Sequence, residues 1–212
     1  MERKEIDTGL PDEVMLNCAG FLPRSVVNGP GVRAVLWVQG CPIRCEGCFN
    51  PQFWSFSRAD YIPVSSLAER ILSISGIDGV TFSGGEPFAQ AHALALLGEM
   101  LHRHNLSIVT YTGYTYAQVI AGDNPSWQHL LTVTDLLIAG PYVPALSCAK
   151  PFIGSANQEV IRLSDRIPPI TVMPEEKNAE VEFTIDSEGT LTATGFPDVQ
   201  LLQAFSACQR ER

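Results

Sequence analysis

The feature that most constrains this chain is a group of three cysteines directly after a strand-like run. Residues 32–38 are mostly apolar and predict a buried strand, and Cys41, Cys45 and Cys48 follow within one turn. A cubane iron–sulfur cluster bound only by cysteine normally takes four thiolates. Because this turn offers three, one iron would stay open to an outside ligand, and an open metal position is typical of a reactive centre.

Two other uses of the cysteines remain open on spacing alone. A zinc site would need a fourth ligand from afar, such as Cys18, Cys148, Cys208 or one of the four histidines. Disulfides within the turn would be strained, because the cysteines are separated by only three and two residues. The chain begins without the apolar segment of a secretory signal, so we expect a cytoplasmic protein.

Composition excludes some classes of partner. The chain has 212 residues, 45% of them hydrophobic, which suits one globular domain with a small appendage. The net charge of −9 argues against sequence-independent binding of nucleic acid, which needs a basic surface. No apolar run is long enough to cross a membrane, so we expect no membrane partner.

Strand-like and helical segments alternate through the middle of the chain. Further strands are predicted at residues 79–82, 106–111, 135–138 and 160–163, with helices beginning near Ser66, in a capping box, and near Pro87. Residues 1–31 are predicted to be irregular, because prolines and glycines interrupt any period. The alternation indicates an α/β fold with a parallel sheet, whose ligands lie at the carboxyl ends of the strands.

An unusual peptide follows each of the first four predicted strands. After the cysteine turn come residues 83–87, 111–114 and 140–142. Gly84 and Gly85 allow close approach of a ligand, and Glu86 could accept a hydrogen bond from an ammonium group. Taken alone, however, these residues fit an ordinary strand–helix turn better. Thr112 offers a hydroxyl. Arg33 either binds a carboxylate or closes the bottom of the sheet.

The remaining segments have simpler predictions. The four histidines, and the three cysteines outside the turn, are predicted to be surface or packing residues without ligands. Residues 181–185 and 190–194 alternate in polarity around a turn at 186–189 and predict a hairpin. Asp198 is predicted to cap a short last helix. We therefore predict a main domain at residues 1–167 and a small extension at 168–212.

The cysteine turn, followed by Phe49 and Asn50, resembles the signature of the radical S-adenosylmethionine (SAM) enzymes. Residues 27–33, 83–87, 112–114 and 154–158 also match peptides of that superfamily in order and spacing. Within it, the chain resembles the activases of glycyl radical enzymes, and most of all the activating proteins of anaerobic (class III) ribonucleotide reductase. The resemblance covers about residues 20–165.

This resemblance implies a fold, a cofactor and a set of contacts. The fold would be a partial (β/α) barrel of the radical SAM type. The cofactors would be a 4Fe-4S cluster and SAM, which chelates the fourth iron through its amino and carboxylate groups. The implied cluster ligands are Cys41, Cys45 and Cys48. The implied SAM contacts are Gly84, Gly85 and Glu86 at the amino group, Gly47 and Phe49 at the adenine, and Thr112 near the sulfonium or carboxylate.

The implied activity needs no catalytic acid or base. Cleavage of SAM gives a 5′-deoxyadenosyl radical, which removes a hydrogen atom from a glycine of a partner glycyl radical enzyme, so the cofactor performs the chemistry. A flavodoxin or ferredoxin is the implied electron donor. Two departures stand out: relatives often carry Asp where this chain has Ala139, and the shortest activases lack the tail after residue 167.

Two alternative functions remain from the sequence. A radical SAM enzyme acting on a small molecule or peptide would use the same cleavage chemistry, and a tail covering the barrel mouth would favour it. A non-catalytic iron–sulfur or zinc module would need a fourth protein ligand, so Cys18 or Cys148 would have to reach the cysteine turn.

Overall fold

The structure is a computed structural model that describes residues 14–169, 181–185, 189 and 191–196. Its strands are β1 (Met15–Ser25), β2 (Arg33–Val38), β3 (Asp60–Pro63), β4 (Gly79–Gly84), β5 (Ser107–Thr112), β6 (Leu136–Ala139), β7 (Ser147–Lys150), β8 (Ile153–Ser155), β9 (Glu159–Arg162), β10 (Val181–Ile185) and β11 (Leu191–Gly195). The fold is α/β. Seven of the strands form one mixed sheet, with parallel and antiparallel pairs, in the order β3-β1-β2-β4-β5-β6-β9.

Four parallel strands form the centre of this sheet. The pairs β2–β4, β4–β5 and β5–β6 are all parallel, as the alternation of strands and helices predicts. Parallel pairing brings the carboxyl ends of these strands to one edge of the sheet, which we call the carboxyl edge. The loops that follow β2, β4, β5 and β6 therefore leave the sheet side by side.

The outer strands correct two predictions. The prediction of an irregular segment before β2 is wrong for β1, an 11-residue strand that pairs antiparallel with both β2 and β3. Its register with β2 shifts between Cys18 and Gly20 and again between Leu22 and Ser25. The strand predicted near residue 160 exists as β9, but it pairs antiparallel with β6 and does not extend the parallel series.

The helices are α1 (Val64–Leu72), α2 (Ala91–His102), α3 (Tyr116–Ala121) and α4 (Pro125–Thr132). The helix predicted near Ser66 exists as α1, but the predicted capping box is wrong, because the helix begins at Val64 after Pro63 and no side chain caps it. Pro87 instead opens a short 3-10 turn that leads into α2. None of the described helices is long and apolar enough to cross a membrane.

Two apolar clusters cover the two faces of the sheet. The larger one packs the helices against one face, with Leu36, Phe82 and Ile108 among its strand residues. The smaller one lies on the other face and contains Val109 and Ile138. Two small antiparallel pairs, β7–β8 and β10–β11, complete the described chain. The helix predicted after Asp198 lies outside the described residues.

Candidate functional site

The cysteine turn leaves β2 at the carboxyl edge, and two glycines permit its tight course. Gly40 and Gly47 have φ angles of 94° and 68°, a region that favours glycine. Cys41 is buried, Cys45 and Cys48 are half-buried, and all three are free thiols. The turn therefore presents three unpaired sulfurs at the edge where ligands of parallel sheets lie.

Backbone amides lie near the sulfurs of this turn. The Asn50 N–H donates to Cys48 Sγ at 3.4 Å. Burial raises the pKa of the Cys41 thiol, and nearby backbone N–H groups of the turn partly oppose that effect. Burial likewise raises the pKa of the Cys45 thiol, opposed first by the backbone N–H of Tyr142. Three thiols with amide donors suit an iron–sulfur cluster, because such donors tune the cluster through its sulfurs.

The loop after β4 lies directly against the start of the cysteine turn. The Gly85 N–H donates to the Val38 carbonyl at 2.7 Å, and the Glu86 N–H donates to the Gly40 carbonyl at 2.9 Å. A Cβ added at Gly85 would lie 2.4 Å from the Gly40 oxygen, and one at Gly84 would lie 2.5 Å from the Val38 nitrogen. This close approach of two backbones requires both glycines.

Glu86 joins the loop after β4 to the loop after β5. Its side chain is 1% exposed. One carboxylate oxygen accepts from the Phe88 N–H and the Thr112 hydroxyl, and the other accepts from the Gly113 N–H, all at 2.9 Å. Burial raises the pKa of Glu86 to about 7, although these three donors favour the charged form. In this structure the Glu86 carboxylate is therefore hydrogen-bonded by two backbone N–H groups and one hydroxyl of the same chain.

The loops after β5 and β6 also contact the cysteine turn. A Cβ added at Gly113 would lie 2.6 Å from Ile43 Cδ1, so the loop after β5 packs on the turn. In the loop after β6, the Tyr142 ring lies 4.8 Å from the Phe49 ring, measured between centroids. A Cβ added at Gly47 would lie 3.4 Å from Tyr142. The structure therefore brings together all the predicted contact residues at the carboxyl edge.

The cysteines outside the turn lie on other elements. Cys18 lies on β1, where its thiol donates to the Gly20 carbonyl at 3.4 Å, and burial raises its pKa. Cys148 lies on β7, and Cys208 is outside the described residues. Within the described part of the chain, no group of three His, Cys, Asp or Glu side chains is arranged to hold a single metal ion.

Two histidines pair with acidic side chains on elements that do not carry the cysteine turn. His102 Nε2 lies 3.0 Å from Asp135, and His129 Nε2 lies 2.8 Å from Glu99. Both pairs join neighbouring elements, which agrees with a packing role for these histidines.

The polar side chains of residues 154–158 make contacts that their sequence does not predict. In the structure, Asn157 and Gln158 donate to carbonyl oxygens of the loop after β6, at 2.8 and 3.0 Å. The only signal for them was the resemblance of the Gly-Ser-x-Asn-Gln peptide to the family. That signal marks the residues but does not indicate what their amides contact.

The part of the chain that matches known proteins includes all four loops of the carboxyl edge. Residues 27–161 match the family described as a 4Fe-4S single cluster domain. An anaerobic ribonucleoside-triphosphate reductase-activating protein of Vibrio cholerae serotype O1 is 32% identical over 163 residues, covering 70% of this chain and 99% of that protein. Its namesake in Enterobacteria phage T4 is 30% identical over 158 residues, covering 72% and 97%. A pyruvate formate-lyase-activating enzyme of Clostridium pasteurianum is 30% identical over 120 residues, covering 53% and 47%.

These matches define first a class and then a family. A single-cluster iron–sulfur domain with these relatives is an activase of the radical SAM type, and the match favours an iron–sulfur cluster over zinc. More narrowly, the chain belongs to the family of the anaerobic ribonucleoside-triphosphate reductase-activating proteins.

Proposed function

We propose that the protein activates an anaerobic (class III) ribonucleotide reductase by removing a hydrogen atom from a glycine of that enzyme. The relatives named for activation of this reductase match the chain over nearly their whole length, which supports the proposal. When bound, the 4Fe-4S cluster supplies the electron that cleaves SAM into methionine and the 5′-deoxyadenosyl radical. The chain itself would hold both cofactors at the carboxyl edge.

The observation that carries the proposal is the convergence of four loops on the carboxyl edge. Cys41, Cys45 and Cys48 would ligate three irons, and the fourth iron would stay free for SAM. The parallel strands β2, β4, β5 and β6 would be part of a partial (β/α) barrel within residues 1–167, with residues 168–212 as an extension.

The other loops would bind SAM. Gly84, Gly85 and Glu86 would receive its amino group, and the ammonium would replace one of the chain's own donors at the Glu86 carboxylate. A pKa of about 7 makes the charged form of Glu86 accessible near neutral pH. Thr112, which donates to Glu86, would lie near the sulfonium or carboxylate.

The adenine would lie beside the end of the cysteine turn, next to Gly47 and Phe49. Gly47 packs closely against the loop after β6, where an added Cβ would lie 3.0 Å from Pro144, and the Phe49 ring offers an apolar surface next to Tyr142. An aromatic ring packs well on a purine because both surfaces are flat and apolar.

The electron must come from another protein. A flavodoxin or ferredoxin would supply it one electron at a time, and we propose a cytoplasmic location in which such donors and the reductase are available. We propose no nucleic-acid partner, because the net charge of −9 disfavours sequence-independent binding of nucleic acid.

Anaerobic reconstitution with iron and sulfide, followed by reduction with SAM present, tests the chemistry. We expect 5′-deoxyadenosine as a product. Purified glycyl radical enzymes are then added one at a time, and we expect a glycine-centred doublet in electron paramagnetic resonance with the anaerobic ribonucleotide reductase. No doublet is expected with pyruvate formate-lyase, so the pair of enzymes identifies the target.

Two cysteine variants make this experiment specific. Cys45→Ala should lose the cluster, the 5′-deoxyadenosine and the doublet. Cys148→Ala, a matched change at a half-buried free cysteine on β7, should keep all three. Full activity in Cys45→Ala, or loss of the cluster in Cys148→Ala, would contradict the assignment of the ligands.

A further inference from the structure

The loop after β6 is held by side chains of the Gly-Ser-x-Asn-Gln peptide. Gln158 Nε2 donates to the Gly140 carbonyl at 3.0 Å, and Asn157 Nδ2 donates to the Pro141 carbonyl at 2.8 Å. Ser155 Oγ accepts from the Val143 N–H at 3.1 Å. Three side chains of one short peptide therefore bond to three positions of the loop that carries Tyr142.

Gln158 is itself held in place by the backbone of its own peptide. Its Oε1 accepts from the Gly154 N–H at 2.8 Å and from the Ser155 N–H at 3.2 Å. The side-chain amide thus uses its acceptor toward residues 154–155 and its donor toward Gly140. A carboxylate of the same length would keep the acceptor and lose the donor.

The held loop places Tyr142 between the cysteine turn and β8. The Tyr142 and Phe49 rings meet at 4.8 Å between centroids with a 47° tilt. A Cβ added at Gly154 would lie 3.1 Å from Tyr142 and 3.3 Å from Phe49, so the two rings fill the space beside this glycine. The backbone N–H of Tyr142 also lies near the Cys45 sulfur.

Few backbone hydrogen bonds hold this part of the loop. The Gly140 N–H donates to the Thr112 carbonyl at 3.0 Å, and Pro141 has no N–H to bond with a neighbour. Gly140 has a φ of 123°, which glycine adopts far more readily than other residues. Beyond Gly140, the position of Tyr142 therefore depends on the side-chain bonds from Ser155, Asn157 and Gln158.

We propose that Gln158 and Asn157 are positioning residues that hold Tyr142 against Phe49 and thereby set the affinity for the adenosine part of SAM. This inference rests on the proposed function, because it takes the side of the cysteine turn near Phe49 as the adenine site. The two amides touch neither cofactor; they act through the carbonyls of the loop after β6.

Gln158→Glu tests the proposal with one nearly isosteric change. It keeps the acceptor for the 154–155 amides and places an acceptor against the Gly140 carbonyl. The matched control is Gln128→Glu, because Gln128 Nε2 likewise donates to two backbone carbonyls, those of Val119 and Gly122, at 3.2 and 3.1 Å. Gln128 lies on α4, Val119 lies on α3, and Gly122 directly follows α3.

Equilibrium binding and hydrogen exchange are measured on the reconstituted protein under anaerobic conditions. We expect Gln158→Glu to weaken binding of SAM and of 5′-deoxyadenosine by about tenfold, as loss of one hydrogen bond to a buried carbonyl predicts. Iron content should not change, and the cleavage rate at saturating SAM should stay within about twofold of wild type. Amides of residues 142–143 should exchange faster, while Gln128→Glu matches wild type at this loop.

The outcomes separate this inference from the proposed function. If wild type binds SAM and Gln158→Glu binds it equally well, the positioning role is wrong. If wild type fails to bind SAM, the proposed function is wrong, and the exchange measurement still tests whether Gln158 holds the loop after β6. Unchanged exchange at residues 142–143 in Gln158→Glu would overturn the positioning role.

Discussion

At the scale of single residues, Arg33 has the least expected environment. Its side chain is 1% exposed, and its guanidinium makes five hydrogen bonds at 2.6 to 3.1 Å. The acceptors are Thr81 Oγ1, Ser107 Oγ and the carbonyl oxygens of Pro30, Val80 and Ser107. Of the two roles that the sequence left open, Arg33 closes the bottom of the sheet, and none of its described hydrogen-bond acceptors is a carboxylate.

Arg33→Lys should destabilise the protein by about 3 kcal/mol, because lysine offers fewer donors and no planar fork to reach β4, β5 and the loop before β2 at once. Burial lowers the pKa of Arg33 to about 10, so the wild-type side chain stays charged near neutral pH and gives charge-assisted bonds. Urea unfolding measures the difference, with the exposed Arg103→Lys as control. Equal unfolding midpoints for Arg33→Lys and wild type would show that the bonds are dispensable.

The same scale shows what the sequence can and cannot indicate about the site. The glycines and cysteines at the carboxyl edge were predictable, because few other residues permit such turns or bind iron. The surroundings of Glu86 were not, because its partners Thr112 and Gly113 are 26 and 27 residues away. Only the pairing of β4 with β5 brings those donors to the carboxylate.

At the scale of elements, regular patterns predicted the parallel strands well and β1 poorly. The four central strands are short and apolar, and each is followed by a turn. By contrast, β1 contains Gly20 and Pro23, which argue against a strand in sequence terms. The strand tolerates them because its register with β2 shifts next to Gly20 and again across Pro23. In addition, β3 pairs only with residues 15–18 of β1, so no strand on that side needs an N–H from Pro23.

Four elements meet at Asp135, just before β6. Its 1% exposed carboxylate accepts from the Ile108 N–H of β5 at 2.7 Å and contacts His102 of α2 at 3.0 Å. The Ser164 hydroxyl, after β9, donates to its other oxygen. Burial alone would raise the pKa of Asp135, but these hydrogen bonds outweigh it and lower the pKa below its ordinary value.

Asp135→Asn should therefore destabilise the protein by about 2 kcal/mol at neutral pH, because one oxygen that accepts bonds becomes a donor. A lowered pKa means that the carboxylate stabilises the fold above its unfolded pKa of about 3.9 and loses this effect as the pH falls through the folded value. The gap between variant and wild type should thus narrow in acid below about pH 4, as measured by urea unfolding across pH.

The control for this prediction is Asp165→Asn. Asp165 pairs with Arg162 at the surface, with its side chain 98% exposed, so the same change should leave stability unchanged at every pH. A gap for Asp135→Asn that stays constant into acid would mean that the charge of Asp135 does not act through these bonds.

At the scale of the whole molecule, the sequence indicated where the site lies before it indicated the shape of the sheet. Parallel strands place every following loop at one edge, so four unusual peptides at strand ends predict one site. The antiparallel additions β1, β3 and β9 follow no such rule, because an antiparallel partner needs no crossover helix that would mark it in the sequence. Cys18, for example, pairs with Val38 on one side and Asp60 on the other.

Contacts of the β10–β11 hairpin with the main sheet have the longest reach in sequence. Asn28 Nδ2 donates to Thr194 Oγ1 at 2.9 Å, and the Thr194 hydroxyl lies 3.2 Å from Asn28 Oδ1; both residues are buried. The Val26 N–H donates to Glu182 at 3.3 Å, and the Phe196 ring lies 6.1 Å from the Tyr111 ring. The hairpin is therefore attached to the loop before β2, and Phe196, directly after β11, also contacts Tyr111 on β5.

Thr194→Val should loosen this attachment without changing the site. Valine fills the same space but neither donates nor accepts, so Asn28 loses a partner inside the protein, at a cost of about 1 to 2 kcal/mol. Because the loss is local, we expect faster hydrogen exchange in β10 and β11 and unchanged exchange in β4 and β5. Thr192→Val, an exposed position on the same face of β11, is the control. Unchanged or slower exchange in β10 and β11 of Thr194→Val would contradict the role of this hydrogen bond. A loss of iron and SAM cleavage in Thr194→Val alone would show that the hairpin supports the carboxyl edge.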